Sequence, residues 1–376
     1  MSSIYIHIPY CKQKCSYCNF YFRTLQKDKK EMINSLKKEI ELKKNYLSDT
    51  VKTIYFGGGT PSILKKTEIS LLINTINRNY SVSPRAEITL ECNPDDLTRK
   101  KLKDIISLGI NRLSIGVQSF DNEDLKFMNR SHNRTQAIKS VKLAKEIGFK
   151  NISIDLIYSL PKQTLKKWKK NLDIAFSLGV QHISAYSLTF EEKTKLNHLL
   201  KKQKIIQLDD IASFKHFDLL VSESEKNKFI QYEISNFGLE GFFSKHNSTY
   251  WLAGHYVGIG PSSHSYNGKE RSWNVNSNRK YIKNISQNNI SGEVEVLSPS
   301  EKYNEYIMTS LRTIYGINFN YIKKEYGEKH LIFLKKELQK WVKSKHIYVE
   351  NKTAYLTKKG KYICDNICSD LFKIDS

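Results

Sequence analysis

No apolar run in the sequence approaches the roughly 18 to 20 residues that a membrane-crossing helix needs. The opening stretch, Met1 to Tyr10, lacks the basic leader and long apolar core of a secretory signal. Both absences point to the cytoplasm, where thiols stay reduced and can bind metal rather than pair. Carboxylates are in deficit: 38 Asp and Glu against 61 Lys and Arg leave a formal charge of +23. That excess admits nucleic acid, an anionic membrane surface or an anionic ligand. Much of it, however, is lysine spread over helical stretches such as Lys27 to Lys44 and Lys193 to Lys204, which reads as a solvated face. Cysteine is scarce, with six in 376 residues, and Cys92, Cys364 and Cys368 follow no cluster pattern. Cys364 and Cys368, one helical turn apart, would make at most a weak metal site.

The other three are concentrated. Cys11, Cys15 and Cys18 stand as C-x3-C-x2-C directly after an alternating apolar stretch, Ile4 to Ile8. Thiolates are soft ligands for iron–sulfur clusters or zinc, and three in one loop can wrap a single inorganic centre. Three thiolates on a four-iron cluster leave one iron without a protein ligand, and an open coordination position marks a reactive site rather than a structural one. His7 could instead complete a Cys3His zinc site. A c-type haem attachment is excluded, because Asn19 stands where the histidine after C-x-x-C would be.

From Ile4 to about Leu188 short strand-like runs alternate with helical stretches, which predicts repeated βα units on a parallel sheet. The strands fall at Ile4–Ile8, Thr53–Phe56, Glu87–Glu91, Arg112–Val117, Asn151–Ile157 and His182–Leu188. Nearly every unusual polar residue sits at a downstream strand end: Cys11, then Gly57-Gly58-Gly59-Thr60-Pro61, Glu91, Gln118 and Asp155. In βα barrels those ends form the active-site face, and six units make a partial barrel. Residues 1–190 are read as this core, 191–297 as an extension of it and 298–376 as a separate C-terminal domain. In the last, helical stretches Pro299–Thr313, Phe319–Glu325 and Lys329–Lys343 precede a hairpin, Ile347–Val349 and Ala354–Leu356, around Asn351-Lys352. That order is winged-helix-like and α+β.

The cysteine spacing, with aromatic Tyr17 before the third cysteine, resembles the radical S-adenosylmethionine (SAM) superfamily, whose core is a (βα)6 barrel. The resemblance implies a [4Fe-4S] cluster on Cys11, Cys15 and Cys18, with SAM chelating the open iron and being cleaved by an electron from the cluster. It further implies that Gly59, Thr60 and Pro61 meet the amino group of SAM and that Glu91, in Glu91-Cys92-Asn93-Pro94, meets its ribose. Gln118 matches a position near SAM, Arg130 would hold its carboxylate, Asp155 its adenosine end, and Tyr5 is the aromatic beside it.

Ile152 to Tyr158 and Tyr232-Glu233-Ile234-Ser235-Asn236-Phe237 extend the likeness to the oxygen-independent coproporphyrinogen III oxidase-like family. The oxidases of that family carry a further cysteine where this chain has Phe20. Its heme-chaperone branch carries H-N-x-x-Y-W, matched here by His246-Asn247-Ser248-Thr249-Tyr250-Trp251. An imidazole can ligate haem iron, and Tyr250 and Trp251 can stack on a porphyrin. His255 and His264 lie close enough in sequence to compete with His246 for that role. The resemblance implies delivery of heme to respiratory acceptors, with the basic surface suiting heme propionates and an anionic inner-membrane face. Two rival expectations are an oxidative decarboxylase of coproporphyrinogen III and a zinc-stabilised winged-helix nucleic-acid binder.

Overall fold

The computed structural model describes residues 2–290 and 292–374. Its core is six adjacent parallel strands in chain order: β1 (Ser2–Ile8), β2 (Val51–Gly58), β3 (Val82–Cys92), β4 (Arg112–Gln118), β5 (Ile152–Tyr158) and β6 (His182–Ser187). The expected α/β architecture is therefore present, each strand within a few residues of its expected bounds except β3, which begins earlier.

Each of these strands separates two kinds of residue by its period of two. Ile4, Ile6 and Ile8, Ile54 and Phe56, Leu113, Ile115 and Val117, and Ile152, Ile154 and Leu156 are buried in one apolar cluster with the covering helices. Those helices fit because their apolar residues recur at helical spacing: Lys29–Leu42 buries Met32, Ile33, Leu36 and Ile40, and Lys66–Asn79 buries Ile69, Leu72, Ile73 and Ile76. Each such side chain, fully buried, contributes roughly 1.5–3 kcal/mol. The opposite strand face is polar. Tyr5, Tyr55, Thr89 and Arg112 are successive register partners across it, with Ser114, Ser153 and His182 beside them.

The sheet grows beyond this core at both edges. Strand β8 (Asn236–Gly238) adds antiparallel to β6, and β7 (Ile230–Glu233) adds antiparallel to β8. At the other edge β9 (His255–Ile259) runs parallel to β1, followed by β10 (His264–Tyr266), β11 (Glu270–Asn274) and β12 (Gly292–Val296). The result is a 12-stranded sheet. These six strands escaped the sequence reading because most are three to five residues long, too short for alternation to stand out.

The C-terminal segment has its own apolar cluster, from Tyr303 to Leu371. Helices Pro299–Leu311, Phe319–Tyr326 and Glu328–Lys343, with β13 (Ile317–Asn318) between the first two, precede β14 (Ile347–Glu350) and β15 (Thr353–Leu356), and the three strands pair antiparallel in the order β13-β15-β14. Asn351 and Lys352 both adopt positive φ, 48° and 58°, as a tight hairpin turn requires. Backbone bonds from Ile234 N to Arg312 O and from Ile314 N to Tyr232 O, both 3.1 Å, tie this segment to the large sheet, and two ion pairs add to them. Arg312 pairs with buried Glu233 at 3.3 Å, and Arg271 of β11 pairs with Glu305 of helix Pro299–Leu311.

Candidate functional site

The cysteine loop leaves the C-terminal end of β1 and is pinned by the segment after β4. Ser16 N donates to Met128 O at 3.0 Å, and Asn129 Nδ2 donates to Lys14 O at 2.8 Å. Two donors are aimed at sulfur: Thr60 Oγ1 lies 3.2 Å from Cys11 Sγ and Arg130 Nη1 3.1 Å from Cys15 Sγ. Burial pushes the Cys11 thiol up to about 12 and the Cys18 thiol to about 11. Positive charge from bound iron would reverse that preference and favour thiolates. Three thiols and two such donors fit an iron–sulfur cluster. Among the described residues no group of three or more His, Cys, Asp or Glu is gathered to hold one metal ion. His7 has both ring nitrogens engaged, Nδ1 with Tyr5 Oη at 3.2 Å and Nε2 with Tyr21 O at 2.9 Å. To bind zinc, His7 would have to give up one of those contacts; its burial lowers its pKa to about 4 and keeps the ring neutral.

Arg130 joins four of the expected site elements. Besides Cys15 it reaches Tyr17 Oη at 3.4 Å, Asn93 Oδ1 at 2.7 Å and Gly116 O at 2.8 Å. Gln118 lies beside it, since a Cβ on Gly116 would come 3.0 Å from Gln118 Nε2 and 3.3 Å from Arg130 Nη2. Gln118 itself holds φ at 66°, a conformation that costs energy in a non-glycine residue and clusters at binding sites.

The glycine turn closes tightly over the same loop. Gly59 N donates to Ile8 O at 2.8 Å and Thr60 N to Tyr10 O at 2.7 Å, so what the turn can offer an amino group is carbonyl oxygen. A Cβ on Gly59 would fall 2.6 Å from Tyr10 O, and Gly58 sits at φ 104° over the His7 ring. Pro61 then opens a short 3-10 turn, Pro61–Ile63.

Glu91 and Asp155 occupy the polar strand face between β3 and β5. Tyr55 Oη donates to Glu91 Oε1 at 2.8 Å, and Ser114 Oγ donates to Asp155 at 3.2 Å. Burial raises Glu91 to about 8 and Asp155 to about 6, with the hydroxyl bonds and Arg112 opposing the rise in both. Tyr5 stacks on Tyr55 with ring centroids 6.1 Å apart. The structure thus brings together Cys11, Cys15, Cys18, Tyr17, Thr60, Gln118 and Arg130 at one end, and Tyr5, Glu91 and Asp155 on the face leading away from it. Sequence reasoning missed Asn93, Arg112, Ser114 and Tyr55. For Asn93, Ser114 and Tyr55 the signal was available, since each sits at a strand position or strand end facing the same way as an expected ligand; Arg112, at the start of β4, reads from sequence as a solvated end.

His246 lies elsewhere. Helix Lys245–Trp251 packs on the polar face of β1, β2 and β9, oriented by Glu87, whose carboxylate accepts from Lys245 N and His246 N at 3.3 and 3.1 Å. A carboxylate there favours the positive end of the helix. Both nitrogens of His246 are engaged: Nδ1 with Thr53 Oγ1 at 2.7 Å and Nε2 with Tyr250 Oη at 2.9 Å. Its ring stacks on Tyr55 at 4.8 Å, and burial lowers its pKa to about 3. Tyr250, whose hydroxyl meets His246, and Trp251 also line a cavity of about 920 Å³ between β9–β11 and helix Pro299–Leu311. The indole Nε1 of Trp251 is buried there and takes no hydrogen bond among the described residues.

A partly wound parallel sheet with three cysteines at the end of its first strand defines a radical SAM protein. The family model of the radical SAM superfamily matches residues 5–175. Over nearly the whole length the likeness is narrower. Heme chaperone HemW of Bacillus subtilis is 34% identical over 374 residues, covering 98% of each chain, and that of Lactococcus lactis is 31% identical over 367 residues, covering 97% of this chain and 96% of the other. The chain belongs to the HemW family. Among solved structures, the radical SAM enzyme coproporphyrinogen III oxidase (HemN) of Escherichia coli superposes with a TM-score of 0.85 at 22% identity, covering 99% of this chain and 90% of that one, which establishes a shared fold.

Proposed function

We propose that this protein is a heme chaperone that carries a [4Fe-4S] cluster and SAM, binds heme, and passes it to respiratory hemoproteins. The observation that carries the reading is the end-to-end similarity to heme chaperones HemW. In this reading Cys11, Cys15 and Cys18 hold the cluster, which supplies an iron position open to the amino and carboxylate groups of SAM. Arg130 balances that carboxylate, Gln118 and the Gly59-Thr60-Pro61 turn border the amino acid end, and Tyr5, Tyr17, Glu91 and Asp155 border the rest.

Heme would sit against Tyr250 and Trp251, in the tyrosine-rich cavity beyond them. His246 then acts as a positioning residue that fixes Tyr250 through its Nε2. SAM serves as an effector of heme transfer, and the chaperone works in the cytoplasm with its basic surface against an anionic membrane where acceptors lie. Phe20, 70% exposed on the cysteine loop, stands where the resembling oxidases carry another cysteine, and this favours a chaperone over a decarboxylase.

The test is a titration of anaerobically reconstituted holoprotein with heme, run beside an anaerobic assay with coproporphyrinogen III, SAM and reductant. Saturable heme absorption without protoporphyrinogen is expected. Formation of protoporphyrinogen would overturn the proposal in favour of the decarboxylase, and absence of heme binding would overturn it outright.

A further inference from the structure

Three histidines follow the extension's helix or lie in it, and the structure places them in different chemical situations. His246 has no lone pair or N–H to spare, as its two nitrogens are held at 2.7 and 2.9 Å by hydroxyls from β2 and from its own helix. Freeing it would break both of these buried hydrogen bonds. His255 opens β9 beneath Gly268, where a Cβ would lie 2.9 Å from its Nε2, and it does not line the cavity. His264 opens β10 and does line the cavity. Its ring stacks on Trp273 at 5.7 Å, and no hydrogen bond to either ring nitrogen is made among the described residues.

The cavity around His264 has the character of a site for a flat, wide, carboxylate-bearing ring. Its volume of about 920 Å³ lies within the range of small-molecule and cofactor sites, ~300–1,000 Å³. Tyr256 and Tyr266 line it from the sheet, and Tyr306 and Tyr326 from the facing helices. Aromatic faces suit a porphyrin, which has a large π surface and few polar edges. Two cations line it as well, together with two carboxylates, Glu305 and Glu325. Arg271 is paired with Glu305, whereas the ammonium of Lys302 meets no carboxylate among the described residues. Such cations would recognise propionates.

We infer that His264 is the axial ligand of heme iron and that the cavity between β9–β11 and helix Pro299–Leu311 is the heme site, with propionates directed to Lys302 and Arg271. The inference rests on the heme-chaperone reading above and names the ligand within it. It also gives the C-terminal domain a function: that domain supplies one wall of the heme site, joined to the sheet by the Arg271–Glu305 pair.

Full-chain protein and the variants His264→Ala and His246→Ala would be titrated with ferric heme and, separately, with metal-free protoporphyrin, and the heme complexes examined by electron paramagnetic resonance and resonance Raman. For His264→Ala, loss of the iron–imidazole signature is expected together with at least about tenfold weaker heme binding, roughly 1.4 kcal/mol. Its protoporphyrin affinity should be unchanged, and free imidazole should restore the signature. His246→Ala should keep the signature, even if its affinity falls through loosening of Tyr250. If His264→Ala retains an intact iron–imidazole signature, the inference is wrong while the chaperone reading survives. If the unmutated protein binds neither porphyrin, the chaperone reading itself fails.

Discussion

The rings of Tyr55 and His246 stack with centroids 4.8 Å apart, although they come from β2 and from a helix 190 positions further along the chain. Tyr55 also donates to Glu91 at 2.8 Å, and His246 also bonds Tyr250 at 2.9 Å. A run of four side chains in contact therefore leads from a carboxylate near the end of β3 to the wall of the aromatic cavity. Each link is a hydrogen bond or a ring stack with a preferred geometry.

Replacing Tyr55 by Phe keeps the stack and removes the bond to Glu91. Heme affinity measured without SAM should stay within about twofold of the original, while any change of heme affinity produced by adding SAM should shrink or vanish. Paired heme titrations with and without SAM read this directly; an undiminished SAM effect in the variant would mean that the two sites communicate by another route.

The Thr53 hydroxyl is the partner that keeps a buried imidazole nitrogen satisfied. Thr53→Val should lower stability by about 1–3 kcal/mol, the cost of leaving a buried polar group unpaired. Tyr250→Phe, which strips the other nitrogen, should fall in the same range. Urea denaturation with an unchanged slope and a lower midpoint would register both. His264→Ala, at an exposed position, should leave the midpoint near the original.

Burial holds Glu91 near pKa 8 rather than its ordinary 4.5. Between those values the folded protein binds more protons than the unfolded chain, so this group's contribution is complete below about 4.5 and is lost as pH rises through 8. His7 and His246 act in the other direction. Their pKa values drop from 6.5 to about 4 and about 3, so stability falls as pH decreases from 6.5 towards those values. In the protein without cluster or SAM, Glu91→Gln mimics the protonated acid and should flatten the loss of stability between pH 5 and 8 while leaving the acid limb unchanged. Denaturation midpoints across that range are the measurement, and an unaltered alkaline slope would contradict the assignment.

Arg130 touches the cysteine loop, Tyr17, Asn93 and β4 at once. Arg130→Lys keeps the charge but loses the planar fork, and should weaken SAM binding at least about tenfold. Equilibrium dialysis with labelled SAM tests this. Cys15→Ala, by contrast, should remove iron and sulfide altogether yet leave heme affinity within about twofold, because no residue of the cysteine loop lines the aromatic cavity. Elemental analysis and a heme titration on one preparation separate the two effects.

Much of the fold could be read before any coordinates. The core strands were legible because each alternates a polar and an apolar side chain, and the helices only as the stretches left between them. The cysteine loop was legible because its ligands are local, within eight residues. Glu91 and Gln118 could be singled out as polar residues at strand ends, whereas Asp155, expected at the end of the fifth strand, stands in the middle of β5. Arg112 could not, since an arginine at the start of a strand looks like a solvated end until the neighbouring strands cover it to 2% exposure.

The identity of the inorganic site lies in the spacing of three cysteines, a covalent property that folding does not alter. The state of the three candidate histidines does not lie there. Thr53 and His246 are 193 positions apart, and the cavity that contains His264 exists only where the edge of the sheet meets a helix from the next domain. Whether an imidazole is bound up in hydrogen bonds or open to iron depends on which distant segments the packed chain brings against it, and only the tertiary structure decides that.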